Sequence, residues 1–564
     1  MTNPGFPPRP YPWEKSYPPG VRWDFPLETG PVGKVLDNGI AGYPDRPALS
    51  YGARTWTYAA FGDLVARAAT GLMTLGVGRG TPVALYLPNT PWHPVLFFAV
   101  MRLGGIVVHL SPLDAERELA HKLKDSGARI VATTDLGPMA GAARLLQDRF
   151  AATGIIDTII VGEDAVWRED RLQRTAEAGP IRSGAALLDH APLPASAFAP
   201  VDPAEVAVLQ FTGGTTGMPK AAALSHANLY AACEMYRAWA EPQNLLRYGA
   251  EKTLMVLPLF HIYGLTTVLM FGLRNGAELV LHPRFDVAAV VDDIERRGIT
   301  QFPGVPTMWI AIANFPGIET RNLSSLRTVS SGGASCPVEI EARIGKLTGK
   351  RLGGGWGMTE TAPAGSRIPL HKPAPAGTIG LPVPGLHMDI VALDDPHRRL
   401  GVGEIGEIRV KGPNVIKGYH NRPEENAAAF ADGYLLTGDM GYTDAEGFFF
   451  IVDRKKDMIT SGGFNVYPRV VEEAVYEHPA VAECIALGVP DAYRGAAIKV
   501  FVALKPGAPA LTLDALRAFL ADKIGRHEMP AHLEIREALP RTPVGKLSKK
   551  ALQDEERASA TTAR

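Results

Sequence analysis

An α/β fold of more than one domain is predicted from three features of this sequence. From Trp56 to about Asp135, helical and strand-like runs alternate, the pattern of parallel βαβ units. A buried strand, Val206 to Phe211, runs straight into a loop rich in Gly and Thr. The texture then changes twice, to short strands with Gly-Pro turns between Thr378 and Ile451, and to a small α+β segment after Asp453. The expectation is a large N-terminal domain, 1–455, of βαβ-type sheets with a β-rich subdomain, followed by a small mobile C-terminal α+β domain, 456–564. With 564 residues, the chain far exceeds the ~100–200 residues of a typical domain.

Taken in order, the first ~35 residues are rich in Pro, Gly and aromatics and read as an extended strap. Phe61 to Leu75 has helical spacing, while Pro82 to Leu87 and Ile106 to Leu110 are β-like runs. Trp92 to Leu110 is the most apolar stretch, but it contains His93, Arg102 and two glycines, so it reads as a buried helix followed by a strand rather than a membrane span of roughly 20 apolar residues. Residues 135–200 are less regular, and βα alternation resumes to about 370. Between 378 and 451 a more antiparallel sheet is expected. The last segment reads as helix Pro468–Tyr476, strands Glu483–Gly488 and Ile498–Leu504, and helix Leu513–Lys523. The final dozen residues, charged and then Ala/Thr-rich, are expected to fray.

Charge and cysteine content narrow the function classes. Lys plus Arg number 58 against 59 Asp plus Glu, so no global field favours nucleic acid or an anionic membrane surface. Any phosphate must therefore be held by a local site. Three widely spaced cysteines, Cys233, Cys336 and Cys484, give neither a disulfide framework nor a zinc pattern, as expected in a reducing compartment. The opening residues lack a basic region followed by an apolar one, so no secretory signal is expected. A cytoplasmic protein without a transmembrane segment is the reading.

The local phosphate site is expected at Thr212-Gly213-Gly214-Thr215-Thr216-Gly217-Met218-Pro219-Lys220. Three glycines let the backbone turn sharply and present its N–H groups to anionic oxygens. Three threonines add hydroxyl donors, and Lys220 adds a charge. The spacing is not that of a Walker A loop, because Pro219 precedes Lys220. Without further context such a loop is as readily a surface hairpin turn.

This loop resembles the phosphate-binding loop of the adenylate-forming enzymes, the superfamily of acyl-CoA synthetases, luciferases and peptide-synthetase adenylation domains. The resemblance runs motif after motif from about residue 30 to residue 552. Gly213, where many members have Ser, and Ala221, where many have Gly, resemble the bacterial fatty acyl-CoA ligase branch, as does Pro12-Trp13-Glu14-Lys15-Ser16-Tyr17-Pro18-Pro19-Gly20-Val21.

The resemblance implies roles for further residues. In Pro258-Leu259-Phe260-His261-Ile262-Tyr263-Gly264, His261 matches a residue at the carboxylate end of the acyl site. Leu265 stands where one long-chain branch carries a Trp gate, so that gate is not expected. Gly332, Gly333 and Ala334 belong to one nucleotide-binding motif. Gly355, Trp356 and Gly357 belong to the next, and Trp356, commonly Tyr in relatives, offers a face for adenine. Thr359 matches a phosphate contact and Glu360 the carboxylate that reaches Mg²⁺, a hard cation that favours oxygen ligands. Asp439 matches the acceptor of the ribose hydroxyls, Arg454 a ribose or phosphate contact, and Lys456 the inter-domain hinge. Asp453 replaces a common Gly. Gly462, Gly463 and Phe464 match the loop that lines the pantetheine tunnel of coenzyme A. Lys546, in Pro543-Val544-Gly545-Lys546, matches the catalytic lysine of adenylation. Taken alone, it would read as a solvated side chain.

The implied activity is ATP-dependent ligation of a medium- or long-chain fatty acid to coenzyme A through an acyl-adenylate. A dicarboxylate (pimelate-type) variant stays open; it needs a cation or a watery end in the acyl pocket, which the sequence does not place. Acyl loading of a carrier protein is a second alternative, opposed by the lack of a fused carrier domain. Non-catalytic acyl-AMP binding is opposed by Lys546, Glu360 and Asp439. Many relatives are homodimers, but no interface is legible, and peripheral membrane contact stays open. Cys336 has no evident activating partner and reads as a packing residue.

Overall fold

A computed structural model describes residues 6–562 except 169–173, 213–217, 335, 462–463, 492–493 and 543–546. The chain forms two compact units, one of 1–374, 379–387 and 411–429, the other of 375–378, 388–410 and 430–564. This partition places the β-rich segments 388–410 and 430–455 with the C-terminal residues.

The first unit holds two sheets. Among the described residues one has seven strands, in the order Ile181–Ser183, Thr158–Gly162, Ile130–Thr134, Pro82–Leu85, Ile106–His109, Val206–Thr212 and Lys220–Ser225. All its pairings are parallel except the last. The other has six strands, in the order Thr328–Ser331, Gln301–Gly304, Lys252–Met255, Glu278–Leu281, Pro47–Tyr51 and Arg54–Thr57, again antiparallel only at the last pair. Strands covered on both faces read as continuous apolar runs, as in Val83-Ala84-Leu85 and Val107-Val108, all at most 1% exposed.

Helix Trp92–Arg102 is apolar all round, and every residue but its last is buried, which marks a core helix. The expected helix-then-strand reading of this stretch is what is found, with the strand at Ile106–His109. The N-terminal strap is not simply extended. It contains a 3₁₀ turn, Glu14–Ser16, leads into helix Gly33–Gly42, and buries Tyr11, Trp13, Tyr17 and Trp23. Tyr11 and Trp13 pack against His387, Trp23 against Tyr11 and Tyr17 against Trp239, and the Tyr17 hydroxyl donates to the Pro382 carbonyl at 2.6 Å.

The second unit contains antiparallel strands Gly406–Lys411, Tyr434–Thr443 and Phe449–Arg454, as the Gly-Pro texture predicts. Its last part is a three-stranded sheet of Val481–Asp491, Gly495–Leu504 and His532–Arg536. Helices Pro468–Tyr476 and Leu513–Leu520 pack on it through Val471, Val475, Leu516 and Leu520.

One expectation fails here. Up to the last described residue the C-terminal stretch does not fray; Lys549–Thr562 is a helix. Leu552 is fully buried against Ile485, Phe501 and Leu539, and Lys499–Glu556 and Arg536–Glu555 ion pairs hold the outer face.

Candidate active site

The Gly/Thr loop is the tip of a hairpin. Strand Val206–Thr212 pairs with Lys220–Ser225, and Thr212 stands opposite Lys220. The Thr212 hydroxyl donates to the Lys220 carbonyl at 3.3 Å and closes the stem. Gly213, Gly214, Thr215, Thr216 and Gly217 lie outside the described residues. Helix Glu116–Ser126 braces the far side of the loop: the His121 Nε2–H donates to the Pro219 carbonyl at 2.7 Å, and the ring packs edge-on against Phe211.

The outer edge of strand Lys220–Ser225 is paired in turn. Ala223 N–H donates to the Gly418 carbonyl and His420 N–H to that of Ala221, at 3.2 and 2.9 Å, which sets Tyr419 opposite Ala222. There the Lys220 ammonium stands over the Tyr419 ring, 4.0 Å from its centroid, a cation–π contact. The Tyr419 hydroxyl donates to Glu360 Oε1 at 2.9 Å. Burial and the adjoining Glu360 carboxylate push the Tyr419 phenol well above its ordinary range. One phenol thus ties the loop cation to the buried carboxylate. Nothing in Lys417-Gly418-Tyr419-His420 signals this role, because the pairing that creates it joins segments far apart in sequence.

Glu360 is fixed by its backbone as well. Its carbonyl accepts from Ile416 N–H at 2.9 Å, and the Asn414 amide donates to the carbonyls of Thr361 and Ala364, each at 2.6 Å. Thr359 and Glu360 open a 3₁₀ turn, Thr359–Thr361. The run before it needs glycine. A Cβ on Gly355 would lie 2.1 Å from the Ser366 carbonyl oxygen, and one on Gly357 only 1.6 Å from that of Pro363. Trp356 lies half-buried over Gly365, where a Cβ would come 2.4 Å from its ring.

Gly332 faces the acyl-site motif. A Cβ there would meet the Tyr263 ring at 2.9 Å, and Gly333 has φ +81°, left-handed backbone that favours glycine. Ala334 is exposed beside it. His261 Nδ1 accepts from the Tyr263 N–H at 3.3 Å, so the neutral ring carries its hydrogen on Nε2. Leu265, at the position of the absent Trp gate, is fully buried.

Behind His261 runs a buried polar chain. The Gln210 side-chain amide donates to the Phe260 carbonyl at 2.8 Å, so its oxygen must face His109 Nδ1, 2.9 Å away. His109 Nδ1 therefore carries the hydrogen, its Nε2 accepts, and His93 Nε2–H donates to it at 3.2 Å. Burial pushes the His109 pKa down to about 4 and that of His93 well below the ordinary value, so both rings are neutral at physiological pH. On the other side of the turn, Asn89 accepts from Leu259 N–H and donates to the Leu257 carbonyl, each at 2.9 Å. Scattered single polar residues give no sequence pattern for such a chain.

In the second unit, Asp439 and Arg454 face each other in register and form an ion pair at 3.1 Å. The Asp439 side chain is 8% exposed and that of Arg454 56%, so the arginine is the accessible member. Lys456 is exposed, whereas Asp453 is buried and accepts from Arg454 and Arg469 N–H at 2.6 and 2.7 Å. Strands Ile459–Ser461 and Phe464–Val466 pair with Ser461 opposite Phe464; Gly462 and Gly463 lie outside the described residues. So does Lys546, but its loop is closed by an Arg541–Leu547 bridge and by Ser548 N–H donating to the Pro540 carbonyl at 2.7 Å. Burial pushes the Cys336 thiol up to about 12, against an activated nucleophile.

The chain as a whole is similar to known proteins. The sequence model of the AMP-binding enzyme family matches residues 36–420, and that of the AMP-binding enzyme C-terminal domain matches 470–546. The long-chain-fatty-acid–CoA ligase of Bacillus subtilis (strain 168) is 37% identical over 553 residues, covering 97% of this chain and 98% of that protein. Among solved structures, ATP-bound MatB from Rhodopseudomonas palustris superposes with TM-score 0.81 at 26% identity, over 93% of this chain and 98% of that one. The o-succinylbenzoate coenzyme A synthetase MenE from Bacillus subtilis, in complex with ATP and magnesium ion, gives TM-score 0.76 at 28% identity, over 92% and 99%. With the hairpin loop, its lysine and its carboxylate set in one frame, and with sequence matches running through both parts of the chain, this protein belongs to the AMP-binding enzyme family.

Proposed function

We propose that the protein is a long-chain-fatty-acid–CoA ligase that uses ATP and releases AMP and pyrophosphate. The observation that carries this reading is the convergence of Lys220 and Glu360 on Tyr419 at the stem of the Gly/Thr loop. Similarity over nearly the whole length, at 37% identity, to a protein named for that activity suggests the acid class.

The chemistry follows from the poor electrophilicity of a carboxylate. Its oxygen attacks the α-phosphorus of ATP, pyrophosphate leaves, and the mixed anhydride, acyl-AMP, forms. Charge grows on the phosphoryl oxygens, and cations and N–H groups already in place stabilise it. Lys220 and the 212–217 backbone and hydroxyls hold the phosphates, Thr359 adds a hydroxyl, and Lys546 supplies charge to the transferring group. His261 Nε2–H donates to the acid and steers it. Trp356, beside Gly355 and Gly357, stacks on adenine, and Gly332, Gly333 and Ala334 let the nucleotide approach the backbone. Asp439 accepts the ribose hydroxyls once Arg454 swings to the phosphate.

Glu360 suits a magnesium ion. It is a buried carboxylate that accepts from the Tyr419 phenol. That fits an ion which takes one or two carboxylates plus substrate phosphates. Bound there, Mg²⁺ supplies neutralising charge to the phosphate oxygens.

The small domain then turns about Lys456, withdrawing Lys546 and bringing Gly462, Gly463 and Phe464 to the site. The CoA thiolate attacks the acyl carbonyl, the thioester forms, and AMP leaves. No helix among the described residues is long and apolar enough to cross a membrane, and this reading places the enzyme in the cytoplasm, with ATP and CoA.

AMP release with Mg-ATP across straight-chain acids of increasing length, with and without CoA, tests the proposal. It predicts CoA-dependent release that is strongest with medium- or long-chain acids. Pyrophosphate exchange with no CoA turnover would point to a carrier-protein acceptor instead, and silence with every acid would contradict it.

A further inference from the structure

The acyl-site wall contains a cation that the fatty-acid reading does not use. Arg367 ends the short strand Ser366–Arg367, which pairs antiparallel with Leu381 and Pro382. Alternation along a strand sends neighbouring side chains to opposite faces. Ser366 turns to the Trp356 loop, accepting from the Trp356 N–H at 3.2 Å. Arg367 turns the other way, towards helix His226–Ala240, and its guanidinium carbon lies 4.7 Å from the centre of the Tyr236 ring. Tyr236 is 6% exposed, its hydroxyl accepts from Thr267 at 3.4 Å, and its ring meets Phe271 edge-on. Thr267, the partner of the Tyr236 hydroxyl, lies in the same helical segment, Tyr263–Met270, as Tyr263. Tyr263 is the residue that binds His261 Nδ1 and packs against Gly332. The guanidinium therefore stands on the same wall as the proposed carboxylate-steering histidine.

This arginine differs from its neighbours in having no acceptor. Arg237 and Arg274 share the buried carboxylate of Glu234, at 2.7 and 2.5 Å. Among the described residues, Arg367 pairs with no carboxylate and donates no hydrogen bond; its contact is the face of Tyr236. A half-buried guanidinium has five N–H donors in a fixed fork. A planar carboxylate fits the fork with two parallel hydrogen bonds, in place of the water that a half-buried guanidinium otherwise binds. An unbranched alkyl chain offers nothing to such a group, and burying it there would cost desolvation of the charge.

We infer that Arg367 is a specificity-determining residue that receives a second carboxylate on the acyl chain, so that the substrates are fatty acids carrying two carboxylates, one activated beside His261 and one held by Arg367. This inference rests on the ligase reading and narrows its acid class. The first carboxylate still displaces pyrophosphate and the CoA thiol still displaces AMP; the second is bound and unchanged.

The test compares a twelve-carbon monocarboxylic acid, the matching α,ω-dicarboxylic acid and the ω-hydroxy acid, using wild-type enzyme, Arg367→Lys and Arg367→Met. Wild type should favour the diacid over the monoacid in kcat/KM by at least ~10-fold. Arg367→Met should lose on the order of 10²-fold with the diacid, as when one partner of a buried charge pair is truncated, while the monoacid is unchanged or improved. Arg367→Lys should recover part of the loss, since it keeps the charge but not the fork. An equal fall with all three acids, or a wild-type preference for the monoacid, would overturn the assignment. A preference for the hydroxy acid would overturn the carboxylate. Calorimetric binding of the three acids carries the same comparison in the absence of turnover, so failure of the ligase reading would be seen apart from failure of the Arg367 assignment.

Discussion

Replacing Lys546 by alanine should lower the rate of acyl-adenylate formation by about 10²–10³-fold, the scale for removing one preorganised group that stabilises developing charge. Thioester formation from preformed acyl-AMP should change by less than ~10-fold. The asymmetry follows from the proposed exchange of faces: the lysine belongs to the loop closed at Arg541–Leu547, and the proposed turn about Lys456 would take that loop away before the thiol attacks. Pyrophosphate exchange reads the first half-reaction, and single-turnover conversion of synthetic acyl-AMP reads the second. Equal loss in both would contradict the division of labour.

The second large effect is on stability. Lys549, at the start of the C-terminal helix, pairs with Glu472 at 3.0 Å, with side chains 22% and 15% exposed. Burial works against the charge of Lys549, but the carboxylates of Glu472 and Asp453 outweigh it and hold its pKa above the ordinary value. Burial pushes Glu472 and Asp453 up in turn, and Lys549 offsets part of that rise. A lysine with a raised folded-state pKa contributes its full stability below the unfolded pKa and loses it as pH rises through the folded one. The contribution of Lys549 is thus intact at neutral pH. Lys549→Met leaves two buried carboxylates without their cation. Removing one partner of a fully buried pair costs ~3–5 kcal/mol, and the partial exposure here lowers the expectation to about 2–3 kcal/mol. The melting temperature should fall by roughly 5–10 °C. Adding Glu472→Gln should restore part of it, because the two substitutions remove the same interaction. Strict additivity of the two losses would show that the pair does not act as a unit.

How much of this was legible in sequence depends on the range over which each feature is encoded. The Gly/Thr loop is local chemistry, since glycine freedom and hydroxyl donors are properties of the residues themselves, and the strand before it is apolar from Val206 to Leu209 and again at Phe211. The buried helix at Trp92–Arg102 could likewise be read from its own composition. The C-terminal helix could not, because Leu552 is a single apolar residue on an otherwise polar face and its partners, Ile485, Phe501 and Leu539, come from elsewhere in the chain. Tyr419 and the His93–His109–Gln210 chain escaped for the same reason. Each acquires its role only when strand pairing brings distant segments together. Arg367 looks like any strand arginine until the absence of an acceptor is visible in three dimensions.

The acyl-adenylate is the centre of this account, and isotope transfer tests it most directly. Fatty acid labelled with ¹⁸O in both carboxylate oxygens should be turned over with ATP and CoA, and the AMP analysed by mass spectrometry. Attack of the carboxylate on the α-phosphorus predicts one ¹⁸O atom in each AMP released and none in pyrophosphate. Unlabelled AMP, or label in a terminal phosphate, would contradict the mechanism and the roles assigned to Lys220, Glu360 and Lys546 with it.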